Sequence, residues 1–176
     1  ESNTGYFSSY EIQVILSMLR ILDNPLQDIP MAAVLASPIV GMDDEELAQI
    51  RSAFKGVSFA QAALSAMAGE NGYEDEKLKA FALVFERLRG AVADTPIHEL
   101  LYMMLDETGF YRYASAMPAG KRRRQNIDML IEMAAAYEKT SYKGLFHFVR
   151  YIDIQQKYEI DYGEADTAGE NDDVVR

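Results

Sequence analysis

The stretch from Glu74 to Ala93, EDEKLKAFALVFERLRGAVA, sets Leu78, Phe81, Ala82, Phe85, Leu88 and Val92 three or four residues apart, with charges opposite. One apolar stripe on a 3.6-residue period predicts an amphipathic helix with one face in a core. The same period recurs on both sides of it. Upstream, Ile12, Ile15, Leu16, Leu19 and Leu22 repeat at helical spacing while Val14, Met18 and Ile21 fill a second face. A helix apolar on two faces belongs at the centre of the molecule, and Asn24-Pro25 stops it. Between these two, a short helix is expected from Pro30 to Ala36. One capped by Asp43 or Asp44 carries Leu47, Ile50 and Phe54, and one capped by Ser58 carries Phe59, Ala62, Ala63 and Met67. Downstream, Thr95-Pro96 opens a helix through Leu100, Leu101, Met104 and Leu105, with a break at Gly109 left open. Pro118-Ala119-Gly120 precedes a helix with Ile127, Leu130, Ile131 and Ala134, and Lys143-Gly144 precedes a last one with Leu145, Phe148, Val149 and Ile152. No alternating strand of useful length and no internal repeat is found. The expected fold is all-α, an irregular bundle of seven or eight helices with short extended termini.

With 176 residues, 49% hydrophobic and 26% charged, the chain suits one domain with a core and is not wholesale disordered. No Cys excludes disulfides, thiolate zinc sites and a cysteine nucleophile, and two His, His98 and His147, leave little for a histidine metal site. No apolar run is long enough to span a membrane, and no basic segment followed by an apolar one marks a secretory leader. The net charge of -11 is uneven: from Glu159 onward seven acids face one base, leaving 21 acids against 16 bases in the first 158 residues. Residues 1–158 therefore read as a single helical domain and 159–176 as an acidic linker or tail. A chain beginning at Glu1 and ending Asp172-Asp173-Val174-Val175-Arg176 looks like a piece of something longer.

Four short patterns invite a chemical reading. Leu101 to Glu107 looks like an apolar strand ending in the acid pair that holds magnesium in nucleotide hydrolases. That chemistry also needs a phosphate-cradling glycine loop, and the nearest candidate has Ser115 for the first Gly and Arg122 for the Ser/Thr. His98-Glu99 begins like a zinc-protease helix, but Tyr102 stands where the second His belongs, so both are expected as solvated first-turn residues. Asp43 to Glu46 reads as acids favoured at a helix N-terminus rather than as a cation site. Lys121-Arg122-Arg123-Arg124, the one basic run, falls at an expected helix start, where free amides and cations together suit a phosphodiester backbone. The competing reading is a solvated face with an Arg124–Asp128 pair. Aromatics concentrated in the second half read as core and core edge; stacking on bases would need an exposed row near the basic run.

Particular stretches resemble the bacterial AddA (RexA) helicase-nuclease family, in the UvrD-like branch of superfamily 1 helicases. These are Gly5-Tyr6-Phe7 with the helix Glu11 to Leu22 and the segment Asp23 to Pro30; the loop Val34 to Met42, similar to the family's L-x-S-P-I-V-G; Tyr113 to Gly120 with the basic run; and Tyr137 to Phe148. Glu170 to Arg176 resembles the run-in to helicase motif V. The resemblance spans nearly the whole chain, carried by order and spacing, and is weakest between Phe54 and Arg89. It implies a 2B subdomain inserted between two segments of the second motor domain, with both termini as strands of that missing domain. It further implies that the loop containing Gly41 is a hairpin contacting duplex DNA through backbone amides, although Val40 stands where simpler helicases often carry a basic residue.

The longer protein so implied is cytoplasmic. It would unwind DNA with ATP and Mg, cut it in a separate nuclease domain, and work with an AddB/RexB-like partner in double-strand-break repair. For this chain the expectation is a non-catalytic subdomain with no cofactor of its own, meeting double-stranded DNA weakly through Lys121, Arg122, Arg123, Arg124 and Gly41. Its further partners would be the remaining motor domains and the AddB/RexB-like protein, with no membrane. The rival expectation is a helical protein-interaction module without DNA contact.

Overall fold

A computed structural model describes the backbone from Gly5 to Asp172 and side chains through Ile160. Among the described residues there is no strand, and nine α-helices form the expected all-α irregular bundle: α1 (Tyr10–Asp23), α2 (Asp28–Ala36), α3 (Asp44–Ala53), α4 (Phe59–Met67), α5 (Glu76–Ala91), α6 (Ile97–Thr108), α7 (Phe110–Ala116), α8 (Gly120–Tyr137) and α9 (Leu145–Asp172). The count exceeds expectation because Gly109 breaks the chain. It takes a left-handed φ of 67°, a conformation glycine adopts without strain, and α7 starts anew from it.

α1 is the central helix. It packs on α2, α5, α8 and α9, and Ile12, Ile15, Met18, Leu19 and Ile21 are wholly shielded from solvent. The stripe read in α5 is buried at Leu78, Phe81, Phe85 and Leu88, whereas Leu83 on its far side is exposed. Asp43 caps α3 in a reciprocal capping box with Glu46, and Ser58 caps α4, both as expected.

Four expectations are corrected. Gly5-Tyr6-Phe7 does not form a strand, since Tyr6–Ser8 is a 3-10 turn whose Phe7 ring is buried against α1's end of the core. α2 begins two residues before Pro30, because Asp28 is drawn into place by accepting the Ala60 amide at the start of α4 (2.9 Å). Thr95 does not cap α6. Glu138, forty residues on, accepts the His98 amide (2.8 Å) and holds His98 Nδ1 (2.6 Å), so His98 is a half-buried structural residue rather than a solvated one. Finally, the acidic segment from Glu159 continues α9 as helix through Asp172. α9 is clamped to α1 by Arg20, which bonds both Asp153 (2.6 Å) and Gln156 (3.1 Å), and Glu159 accepts the Phe7 amide (3.4 Å). Once so nucleated, a helix propagates at little cost per residue. The remainder of the motif V-like run, residues 173–176, lies outside the described residues.

Candidate nucleic-acid interface

The basic run occupies the first turn of α8, and the local sequence explains how. α7 ends on extended Met117, and Ala119 takes a left-handed φ of 58° to turn the chain back. A Cβ on Gly120 would lie 2.0 Å from the Ser115 carbonyl oxygen, so only glycine lets α8 start this close to α7. No side chain caps α8, which leaves the amides of its first turn without intrahelical acceptors.

The four cations do not act together. Arg123, Ile127, Leu130 and Ala134 follow one another at spacings of four, three and four, and this face points into the core. Arg123 follows it inward. Its Nε donates to the Pro118 carbonyl (2.8 Å) and its Nη1 to Glu11 Oε2 (2.9 Å). Glu11 is the only acid on α1's buried faces and is 2% exposed; its other oxygen accepts from Asn126 Nδ2 (2.7 Å). The Tyr6 hydroxyl in turn donates to the Asn126 carbonyl (2.7 Å). Burial, followed by the Glu11 and Glu159 charges, pushes the Tyr6 phenol far above its ordinary range and keeps it a donor. Burial alone would raise the Glu11 pKa, but hydrogen bonds from Asn126 and the backbone and the Arg123 charge outweigh it, so Glu11 is held below the usual value as a carboxylate.

Sequence reasoning missed this network. Its signal is a lone Glu on a helix otherwise apolar on two faces, but a run of four cations looks uniform until helical phase is applied. Arg123 is thereby removed from the expected phosphate contacts, because its charge is spent on Glu11.

Lys121, Arg122 and Arg124 remain. All three are exposed, and among the described residues none is in a hydrogen bond or ion pair. The expected Arg124–Asp128 pair is not formed; Asp128 accepts instead from the Tyr111 hydroxyl (3.2 Å). Lys121, Arg124, Asp128 and Ile131, spaced three, four and three, share a second face of α8. That face borders a half-open groove of about 440 Å³ between α6, α7 and α8, lined chiefly by Tyr102, Leu105, Asp106, Tyr111, Arg112 and Asp128.

Gly41 belongs to a different surface. It has a positive φ of 79°, as a turn glycine does, but the loop's amides are occupied. Ile39 N donates to Ser37 Oγ, Val40 N and Gly41 N to the Ser37 carbonyl, and Met42 N to the Leu35 carbonyl (2.7–3.2 Å). Lys77 covers the Gly41 carbonyl (2.9 Å) and pairs with Glu46 (2.8 Å). In this conformation the loop has no free amide between residues 39 and 42 to offer a phosphate, and the expected Gly41 contact lacks its donors.

The other patterns resolve structurally. Leu101 to Glu107 is helical, with Leu101, Met104 and Leu105 buried and Glu107 bound to Arg87 (3.2 Å), so the acids do not form the magnesium pair of a nucleotide site. Among the described residues no group of three or more His, Asp or Glu is placed to hold a metal, and no helix is long and apolar enough to cross a membrane. Phe110 and Phe148 are core, and Tyr137 stacks on Tyr151 (4.9 Å), as the core reading of the aromatics expects. Tyr102, Tyr113, Tyr142 and Phe146 are nevertheless about half exposed or more.

No family model matches the chain. Over its full length it is 43% identical to the AddA-type ATP-dependent helicase/nuclease protein of Anoxybacillus flavithermus. It is 41% identical to the corresponding proteins of Bacillus cytotoxicus and Lysinibacillus sphaericus. The chain spans 14–15% of the length of these curated relatives. At such identity over every residue, it is homologous to one segment of the AddA-type ATP-dependent helicase/nuclease proteins.

Proposed function

We propose that this chain, homologous to one segment of an AddA-type ATP-dependent helicase/nuclease, is a non-catalytic 2B-type accessory subdomain. Its work is to orient duplex DNA for a motor built from other parts of the longer protein. The observation that carries the reading is the start of α8: three exposed cations without partners beside an uncapped helix N-terminus, in a chain whose relatives are named for acting as helicase and nuclease. Phosphate contacts of this kind position a duplex without reading its sequence. ATP and magnesium act in the motor domains, cleavage belongs to a nuclease domain, and the whole works in the cytoplasm beside an AddB/RexB-like partner.

Three phosphate contacts set the expected size of the effect. A slope near -0.9 per contact means that raising salt from 50 to 200 mM weakens binding by up to about 40-fold. Fluorescence anisotropy with a labelled blunt duplex measures this directly. Changing Lys121, Arg122 and Arg124 together to Ala should remove the binding seen at 50 mM salt while leaving thermal unfolding in place. Binding that survives the triple change with its salt slope intact would remove the phosphate role from α8.

A second reading is favoured by α9, where Phe146 (53% exposed) and Ile154 (66%) stand on one face with the Arg150 guanidinium 5.4 Å from the Phe146 ring. An exposed apolar strip of this kind suits a protein partner, either the AddB/RexB-like protein or the remaining motor domains. The two readings use different faces of the bundle and are separable by the triple change above.

A further inference from the structure

We propose that the groove between α6, α7 and α8 receives one unpaired nucleotide at the end of a DNA duplex, its base against Tyr102 and Tyr111 and its flanking phosphates on Lys121 and Arg124. The inference rests on the DNA-facing reading of α8 and adds to it the kind of DNA that is preferred.

Four observations lead there. The groove, about 440 Å³, falls in the range of clefts that hold small molecules, about 300–1,000 Å³. Two tyrosines line it; Tyr102 is 57% exposed, and among the described residues neither ring packs on another aromatic ring. An unoccupied ring face is what a base stacks on, whatever its identity. The polar lining is mixed, with Asp106 and Asp128 against Arg112. Carboxylates in the lining oppose a phosphate seated inside, and a purely apolar occupant would strip water from Asp106 and Arg112 without replacing their hydrogen bonds. The edge of a base offers both donors and acceptors, matching a carboxylate and a guanidinium at once. The free cations stand where a backbone needs them: Lys121 and Arg124 continue the same face of α8 as Asp128 and Ile131, from the groove toward the uncapped helix start.

A blunt duplex buries its bases in the stack, so only an unpaired base can enter, and the groove predicts a preference for frayed or overhanging ends. The test compares a blunt duplex with the same duplex bearing a three-nucleotide overhang that contains 2-aminopurine, read by anisotropy and by 2-aminopurine emission. The overhang should bind about tenfold more tightly, as one stacked base warrants, and its emission should be quenched on binding. Tyr102→Ala should abolish both the preference and the quenching while leaving blunt-duplex affinity unchanged, and Tyr102→Phe should preserve both. The result Lys121→Ala/Arg124→Ala weakening both probes, with no overhang preference in the unaltered chain, would overturn the groove and leave the duplex-orienting role standing. Absence of binding to either probe at 50 mM salt would overturn both.

Discussion

Replacing Arg123 by Ala is expected to lower the unfolding free energy by about 3 kcal/mol, at the low end for removing one partner of a buried ion pair. The low end applies because the guanidinium is 23% exposed and Asn126 still satisfies one Glu11 oxygen. The loss comes from Glu11, which is 2% exposed and would keep its charge in the core with one donor fewer. For a chain of this length such a loss corresponds to about 6–12 °C in Tm. Arg123→Met combined with Glu11→Gln should recover much of it, since the removal of both charges ends the desolvation cost as well as the attraction. Lys121→Ala, on an exposed side chain with no partner among the described residues, should move stability by less than about 0.5 kcal/mol. Equal effects of Arg123→Ala and Lys121→Ala on urea unfolding would contradict the division of the basic run.

The same pair predicts a pH dependence. Glu11 titrates lower in the folded chain than in the unfolded one, so its stabilising contribution is fully present above the unfolded carboxyl pKa, about 4.3. It is lost as pH falls through the folded value. The stability difference between the unaltered chain and Glu11→Gln should therefore be constant from pH 7 to 5 and shrink below pH 4. A difference that stays constant down to pH 3 would mean that Glu11 is not held as a carboxylate.

Leu19→Ala should cost about 3–4 kcal/mol, within the range for emptying a leucine site in a core that relaxes only in part. Leu19 is wholly buried on α1, the helix that α2, α5, α8 and α9 share, so little backbone is free to close the cavity. Leu83→Ala removes the same side chain from the exposed side of α5, where Leu83 is 61% exposed, and should cost under 1 kcal/mol. Paired denaturant curves read this contrast, and a Leu19 cost no larger than that of Leu83 would displace α1 from the centre of the fold.

Helix after helix was legible because each solves a local problem in its own sequence. The α5 stripe, the Asp43 capping box, Ser58 at the start of α4 and the stop at Asn24-Pro25 all involve residues within a turn of one another. What escaped depends on residues far apart in the chain. Glu138 caps α6 from across a connection, Asp28 caps α4, and Glu11 captures Arg123 from 112 positions away. None of these leaves a periodic trace. The acidic segment misled through composition, since Glu159 is tied to the Phe7 amide and the helix extends beyond it. At the candidate interface the sequence located the basic run and the helix start. It could not divide the run, because which of four neighbouring cations turns inward depends on the phase of α8 against α1. The groove was invisible for the same reason: Tyr102, Tyr111 and Asp128 meet only once three helices pack.

The central claim is that DNA meets this chain at the start of α8 and along the face carrying Lys121 and Arg124. Amide nitrogen–proton spectra recorded during titration with a short duplex bearing an overhang test it most directly. The account predicts that the largest shifts fall on Gly120 to Arg124 and on Tyr102, Tyr111 and Arg112, with residues 37–42 unmoved. Shifts concentrated on residues 37–42 or on the exposed face of α9, with α8 silent, would contradict it.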